Sequence, residues 1–170
     1  MATTMRDIAK NLNFEVANVY NYIGSKQALL EFYLFEIQDE FHNAMDDILN
    51  SSYGPKEKLR LVISSYIRIS ARRPYEQALL VNDWRNLKER KLKEFVDRRR
   101  EYEDKLKSIL KAGSDQEELK PIDVDFATDT ILATLRGLYK KHIGAATKSN
   151  PITIEKQLTE FIFDGISKRQ

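Results

Sequence analysis

"TTMRDIAKNLNFEVANVYNYIGSK", residues 3–26, decides how the chain is read. Thr4 followed by Asp7 is a variant capping box and opens a short helix through about Leu12. Ala9 is the small residue that a close helix crossing needs. Four residues later Asn13 tolerates the left-handed backbone of a tight turn. Phe14 follows, and Val19 would anchor a second helix, about Glu15 to Tyr22, against Ile8 and Leu12. Gly24 is expected to end that helix and Ser25 to cap a third, running to about Leu49. Two short helices across a tight turn predict a helix-turn-helix. With the anchors turned inward, Val16, Ala17, Asn18, Asn21 and Tyr22 remain on outer faces. Asn can pair bidentately with adenine, and a Tyr hydroxyl can reach a phosphate oxygen. Lys26 lies at the start of the next helix, whose free N–H groups also suit a phosphate. A helical hairpin with polar outer residues would show the same spacing, so spacing alone does not choose between them.

Composition narrows the rest. The chain has 170 residues, 42% hydrophobic and 32% charged, with 6 Gly and 4 Pro, which favours one domain of long helices over sheet. Cys is absent, so neither a disulfide frame nor a thiolate site is available, and a reducing cytoplasm fits. No apolar run approaches the roughly 20 residues of a membrane span, and no signal peptide is visible. A net charge of +2 means that any nucleic-acid surface must be local.

Beyond residue 26 the chain reads as helices set apart by Gly and Pro. Leu30, Leu34, Ile37, Phe41, Met45 and Ile48 form one apolar stripe at helical spacing. Tyr53-Gly54-Pro55 is a turn, and Leu59, Val62, Ile63, Tyr66 and Ile67 form the next stripe, which Pro74 interrupts. "YEQALLVNDW" reads as an apolar helix. The amphipathic stretch after it carries Leu92, Phe95, Val96, Tyr102, Leu106 and Ile109, with Gly113 as its stop. Asp123 opens a helix to about Ile143, and Asn150-Pro151 opens the last. No convincing strand and no internal repeat emerges, so the fold class is all-α.

Several residues invite function, and each has a plain alternative. Trp84, Tyr66, Tyr102, Thr134 and Tyr139 place polar tips near apolar stripes, as a ligand pocket would, or as core residues with backbone partners would. Arg99 falls between Val96 and Tyr102 and could turn inward to meet a carboxylate or phosphate bidentately. The surrounding basic run, Lys88 to Lys93 and Arg98 to Arg100, is interleaved with acids and reads as a solvated face. His42 and His142 are far apart and form no metal motif. No Gly-rich phosphate loop or nucleophile signature appears, so neither an enzyme nor a cofactor is expected. Ile131, Leu135, Leu138, Leu158, Phe161 and Ile162 spread over broad arcs of the last two helices. Such arcs suit a four-helix dimer interface about a two-fold axis.

"TTMRDIAKNLNF" with "VYNYIGSKQALL" resembles the DNA-binding domain of TetR-family transcriptional regulators, with Arg6, Asp7, Ile8, Ala9, Tyr20, Ser25, Lys26 and Leu29 matching outright. The resemblance implies that Tyr20 and Lys26 clamp DNA backbone and that Asn18 takes a base or phosphate contact. Asn21 and Tyr22 would add groove contacts, and Thr4 would touch phosphate. Glu15, Val16, Ile23 and Gly24 depart from the family's usual residues. In the family another helix precedes these two. Its absence from this stretch would leave Ile8, Val19 and Ile23 partly uncovered and predicts weak DNA binding. "NDWRNLKERKLKEFVDRRREYEDKLKSILKAG" also resembles a subgroup that senses fatty-acyl or steroid-derived CoA thioesters. The expected organisation is a partial helix-turn-helix domain over 1–28 and a helical ligand-binding and dimerisation domain over 29–170. The expected function is a homodimeric, cytoplasmic regulator that binds a double-stranded DNA operator and is released by a small apolar effector. The rival is a helical dimer without DNA binding that takes an apolar ligand or a protein partner.

Overall fold

The computed structural model describes residues 16–141 and 150–166, with backbone alone for 16–20, 22, 23 and 141. Thr4, the turn at Asn13, His142 and Ile143 lie outside the described residues. Every element among the described residues is helical.

Helix α1 spans Val16–Leu49, 34 residues, or about 51 Å at the usual rise. It corrects the expectation of a break at Gly24 and Ser25. A Cβ on Gly24 would meet nothing within 4 Å, and Gly weakens a helix interior without stopping it. Ser25 is no cap: its hydroxyl donates to the Asn21 carbonyl one turn back, at 3.0 Å. The expected apolar stripe holds, with Leu34, Ile37, Phe41, Met45 and Ile48 all buried.

Helix α2, Pro55–Arg72, follows the Gly54 turn with Pro in its first turn. Glu118 comes from a distant loop to accept the Lys56 N–H at 2.8 Å. An acid is favoured at that helix start by the exposed backbone dipoles. Helix α2 touches every other helix, which is why its buried residues run around more than one face. Arg73 ends it in a non-helical conformation, and Pro74 begins helix α3, Pro74–Asn82. The apolar helix expected through Trp84 stops at Asn82, and Trp84–Asn86 forms a 3₁₀ turn. Arg73 ties the junction to α1, its guanidinium 2.7 Å from Glu36 and 3.3 Å from Glu40.

Helix α4, Glu89–Asp115, runs two residues past Gly113, so that glycine is not a stop. It serves packing instead. A Cβ there would lie 2.7 Å from the Leu119 side chain, which is itself buried. Helix α5, Val124–Arg136, begins as expected, with Asp123 Oδ1 accepting the Phe126 N–H at 3.0 Å. It ends at Gly137, short of Ile143, and a 3₁₀ turn over Leu138–Lys141 follows. Helix α6 is Pro151–Ile166.

The main core joins α1, α2, α4, α5 and α6. A second cluster around Leu34, Leu87 and Phe95 lies nearer the start of α1. Most of the residues expected at an interface are already covered by the chain itself. Ile131, Leu135, Leu138 and Ile162 are buried within the chain itself, because α2 lies against both α5 and α6 and claims those arcs. Leu158 is half-buried and Phe161 is 76% exposed. Among the described residues no helix is long and apolar enough to cross a membrane.

Candidate functional site

Five helices close around a cavity of about 70 Å³. Helix α1 contributes Gln38, Phe41 and His42, and α2 contributes Tyr66. Leu80 and Val81 come from α3, and Phe95, Arg99 and Tyr102 from α4. Leu132 and Arg136 of α5 complete it. The helical period explains the set. Gln38 and His42 are one turn apart on the face that carries Phe41, and Phe95, Arg99 and Tyr102 recur at four and three residues.

The walls are aromatic and closely fitted. Tyr66 stacks on Phe41 with centroids 4.4 Å apart, and Tyr102 meets both Phe41 and His42 edge-on. Burial pushes the Tyr66 hydroxyl up to about 12, against the pull of Arg136 and Arg99. Tyr102 is pushed up as well, by burial first and by Tyr66 second. Both are therefore neutral hydroxyls. His42 is held below its ordinary value by burial first and then by Arg98 and Lys105, which favours the uncharged imidazole.

Charge enters from one side. Arg136 Nη2 lies 2.6 Å from Glu103 Oε1, and Arg99 Nε lies 3.4 Å from the same oxygen. Burial, then repulsion by Arg136, lowers the Arg99 pKa. The Arg99 guanidinium also sits 5.4 Å from the centroid of Trp84, whose ring stacks on Phe95.

Of the residues singled out from the sequence, Tyr66, Arg99 and Tyr102 meet at this cavity, and Trp84 backs its wall through Phe95 and Arg99. Thr134 and Tyr139 do not line it. Thr134 is exposed and its hydroxyl donates to the Thr130 carbonyl within α5. The Tyr139 hydroxyl accepts from Asn82 Nδ2 at 2.9 Å. Gln38 and Arg136 are not singled out by the sequence, and His42 is weighed there only as a metal ligand, although Gln38 and His42 are polar residues set into an apolar stripe. Among the described residues no group of side chains is arranged to hold a metal ion.

Toward the start of α1, Asn21 and Lys26 are exposed. Positions 18, 20 and 22 lie on the same helix. Thr4 is outside the described residues.

Residues 52–140, more than half of the chain, match the family model of the tetracyclin repressor-like C-terminal domain. The chain belongs to the TetR family. That assignment makes it a TetR-family transcriptional regulator, all-α like its relatives. The HTH-type transcriptional repressor KstR2 of Mycolicibacterium smegmatis is 26% identical over 178 residues, covering 99% of this chain and 83% of that protein. The ketosteroid transcriptional regulator KstR2 of Mycobacterium tuberculosis has the same fold, with a TM-score of 0.78 at 20% identity over 99% of this chain and 86% of that one. AibR, solved in complex with isovaleryl coenzyme A and operator DNA, superposes with a TM-score of 0.71 at 20% identity, covering 95% and 87%. In this TetR-family chain eight of the eleven residues that line the cavity, from Tyr66 to Arg136, fall within the matched segment, and the other three come from α1.

Proposed function

We propose that the chain is a homodimeric repressor that binds operator DNA through the start of α1 and the segment before it, and is released when a small apolar effector, such as an acyl group or acyl-CoA, enters the cavity. One observation carries this reading: the cavity wall includes Gln38, Phe41 and His42 of α1, the unbroken helix that also holds positions 18 to 26. Seventeen residues separate Asn21 from Gln38, about 26 Å of rigid rod. A small rotation at the cavity becomes a larger displacement at the other end. The relatives support the same reading, one named as a transcriptional repressor and another held with both an acyl-CoA and operator DNA.

In this reading Asn18, Tyr20, Asn21, Tyr22 and Lys26 meet DNA, with Thr4 at a phosphate. Two-fold symmetry sets the recognition segments about one DNA turn, or a multiple, apart. Leu158 and Phe161 serve the dimer. Tyr66, Arg99 and Tyr102 touch the effector while Trp84 braces them. The effector releases DNA only because it binds better to the α1 position that spoils the spacing. Such a protein works in the cytoplasm, beside the DNA it reads.

The test selects bound duplexes from a random-sequence pool with the full chain, then titrates the winner. Tyr20→Ala with Lys26→Ala should abolish binding while leaving the dimer intact. Lys26→Ala alone should flatten the salt dependence by about one unit of slope. A chain that dimerises and binds an apolar ligand but enriches no duplex is the rival non-DNA helical dimer.

A further inference from the structure

The cavity is electrically unbalanced. Two guanidiniums line it, Arg99 and Arg136, and no carboxylate does. The acid that both contact, Glu103, offers them a single oxygen. Its 2.6 Å contact to Arg136 is a short charge-assisted bond, whereas 3.4 Å to Arg99 Nε is at the outer limit for one. Glu103 is therefore engaged mainly by Arg136, and Arg99 holds a weak share. Its side chain is 31% exposed, so solvent and a ligand in the cavity compete for the rest of the guanidinium. The lowered pKa of Arg99 has the same origin, burial beside a second cation.

A second polar feature lies on α1. Gln38 is 5% exposed and lines the cavity. Its Nε2 donates to the Phe95 carbonyl at 3.1 Å, which fixes the amide and points its other atom elsewhere. That atom, Oε1, is buried and has no donor among the described residues. A buried acceptor in a mostly apolar setting asks for an N–H or O–H. The cavity thus presents a cation seeking an anion and an acceptor seeking a donor, with aromatic and aliphatic walls between.

Size adds a third condition. About 70 Å³ is well below the roughly 150 Å³ that admits a benzene ring. A ligand must displace part of the wall. Helix α3 is the wall best able to yield, since Leu80 and Val81 are only half-buried. A ring-sized body asks for less displacement than a long chain or a coenzyme arm does.

We propose that the effector is a compact, free carboxylic acid: its carboxylate lies against Arg99, its apolar body against Phe41, Phe95 and Leu132, and a hydroxyl on that body donates to Gln38. This rests on the reading of the cavity as the effector site and narrows it. An esterified acid is neutral where Arg99 needs charge, so the geometry favours the free acid over its thioester.

The experiment titrates the full chain with four probes: cyclohexanecarboxylate, its 4-hydroxy derivative, cyclohexylmethanol and cyclohexanecarbonyl-CoA. Calorimetry and thermal melting give the affinities. The two acids should bind, the hydroxy acid tighter, with the alcohol and the thioester at least about tenfold weaker. Arg99→Gln should erase the preference for acid over alcohol, and Arg99→Lys should keep it. Gln38→Leu should remove the gain from the hydroxyl and leave the plain acid unchanged. Equal binding of alcohol and acid, tighter binding of the thioester, an intact acid preference in Arg99→Gln, or no binding of either acid overturns the proposal. The selected duplex is titrated alongside. Release by the thioester or alcohol keeps the regulator and overturns the acid. Acids that bind without disturbing a bound duplex keep the acid and remove the regulator reading.

Discussion

Gly113 shows how a residue can be recognised as special for the wrong reason. In the sequence it reads as a helix stop, yet α4 continues to Asp115. The close approach of Leu119 is what demands the missing side chain. Gly113→Ala should therefore destabilise by about 1–3 kcal/mol through overpacking, although Ala is the better helix former. Denaturant unfolding checks it, and a gain in stability would show that Leu119 moves aside freely. His42 carries a prediction of another kind. Its folded pKa lies below the ordinary value, so the unfolded chain takes up the proton first as pH falls. The stability that this histidine contributes is complete above about 6.5 and is lost as pH drops from there toward the folded value. His42→Gln should flatten the fall in melting temperature between neutral and mildly acid pH; an unchanged slope would place the acid sensitivity elsewhere. At this scale the site was half legible. Arg99 could be picked out because it interrupts Val96 and Tyr102 on an apolar face. Arg136 could not, because its partner Glu103 is thirty-three residues away on another helix.

Helices were legible as apolar stripes, and their ends were not. Most periodic positions of α1, α2 and α4 fall in the core as their spacing requires, with Leu30, Leu92 and Val96 at its margin. Ends depend instead on whether Gly, Ser or Pro finds a reason to leave the helix, and that reason is tertiary. Gly24 is the clearest case, because a continuous α1 and a broken one predict opposite outcomes for one substitution. Within a helix, in open space, Gly24→Ala should raise stability by about 0.5–1 kcal/mol and increase helical ellipticity. At a left-handed helix end the same change would cost about 1 kcal/mol. Melting followed at 222 nm separates the two. A loss of stability would restore the break between the DNA-facing segment and the rod, and with it a hinge in place of a lever. Ion pairs tie the α1 segment from Glu36 to Asp46 to the rest of the fold. Asp39 pairs with Arg98, Asp46 with Lys105, and Glu36 with Arg73. These acids give α4 and the α2–α3 junction contacts to α1, and Arg98, which reads from the sequence as part of a solvated face, is one of their partners.

For the molecule as a whole, breadth of apolar surface was a poor guide to what faces outward. The arcs on α5 and α6 were read as interface because one chain of this length has little room to cover them. Helix α2 covers them nonetheless, sitting at the centre and taking Ile131, Leu135 and Ile162 into one core. What remains outside is narrower. Phe161, 76% exposed, borders a shallow hollow with Leu138, Ile154 and Leu158. A phenylalanine that open to water gains by burial against a second copy, and two-fold symmetry doubles the gain. Phe161→Glu leaves the chain's own core untouched, since the ring contributes nothing to it. It should yield a folded monomer by sedimentation, with its melting temperature independent of concentration where the parent's rises with concentration. Because a single recognition segment loses the partner that fixes its spacing, the same variant should also bind the selected duplex about as weakly as an unselected one. A variant that stays dimeric would move the interface off this face of α6. A monomer that still binds the duplex at full affinity would mean that dimer spacing is not what the effector disrupts.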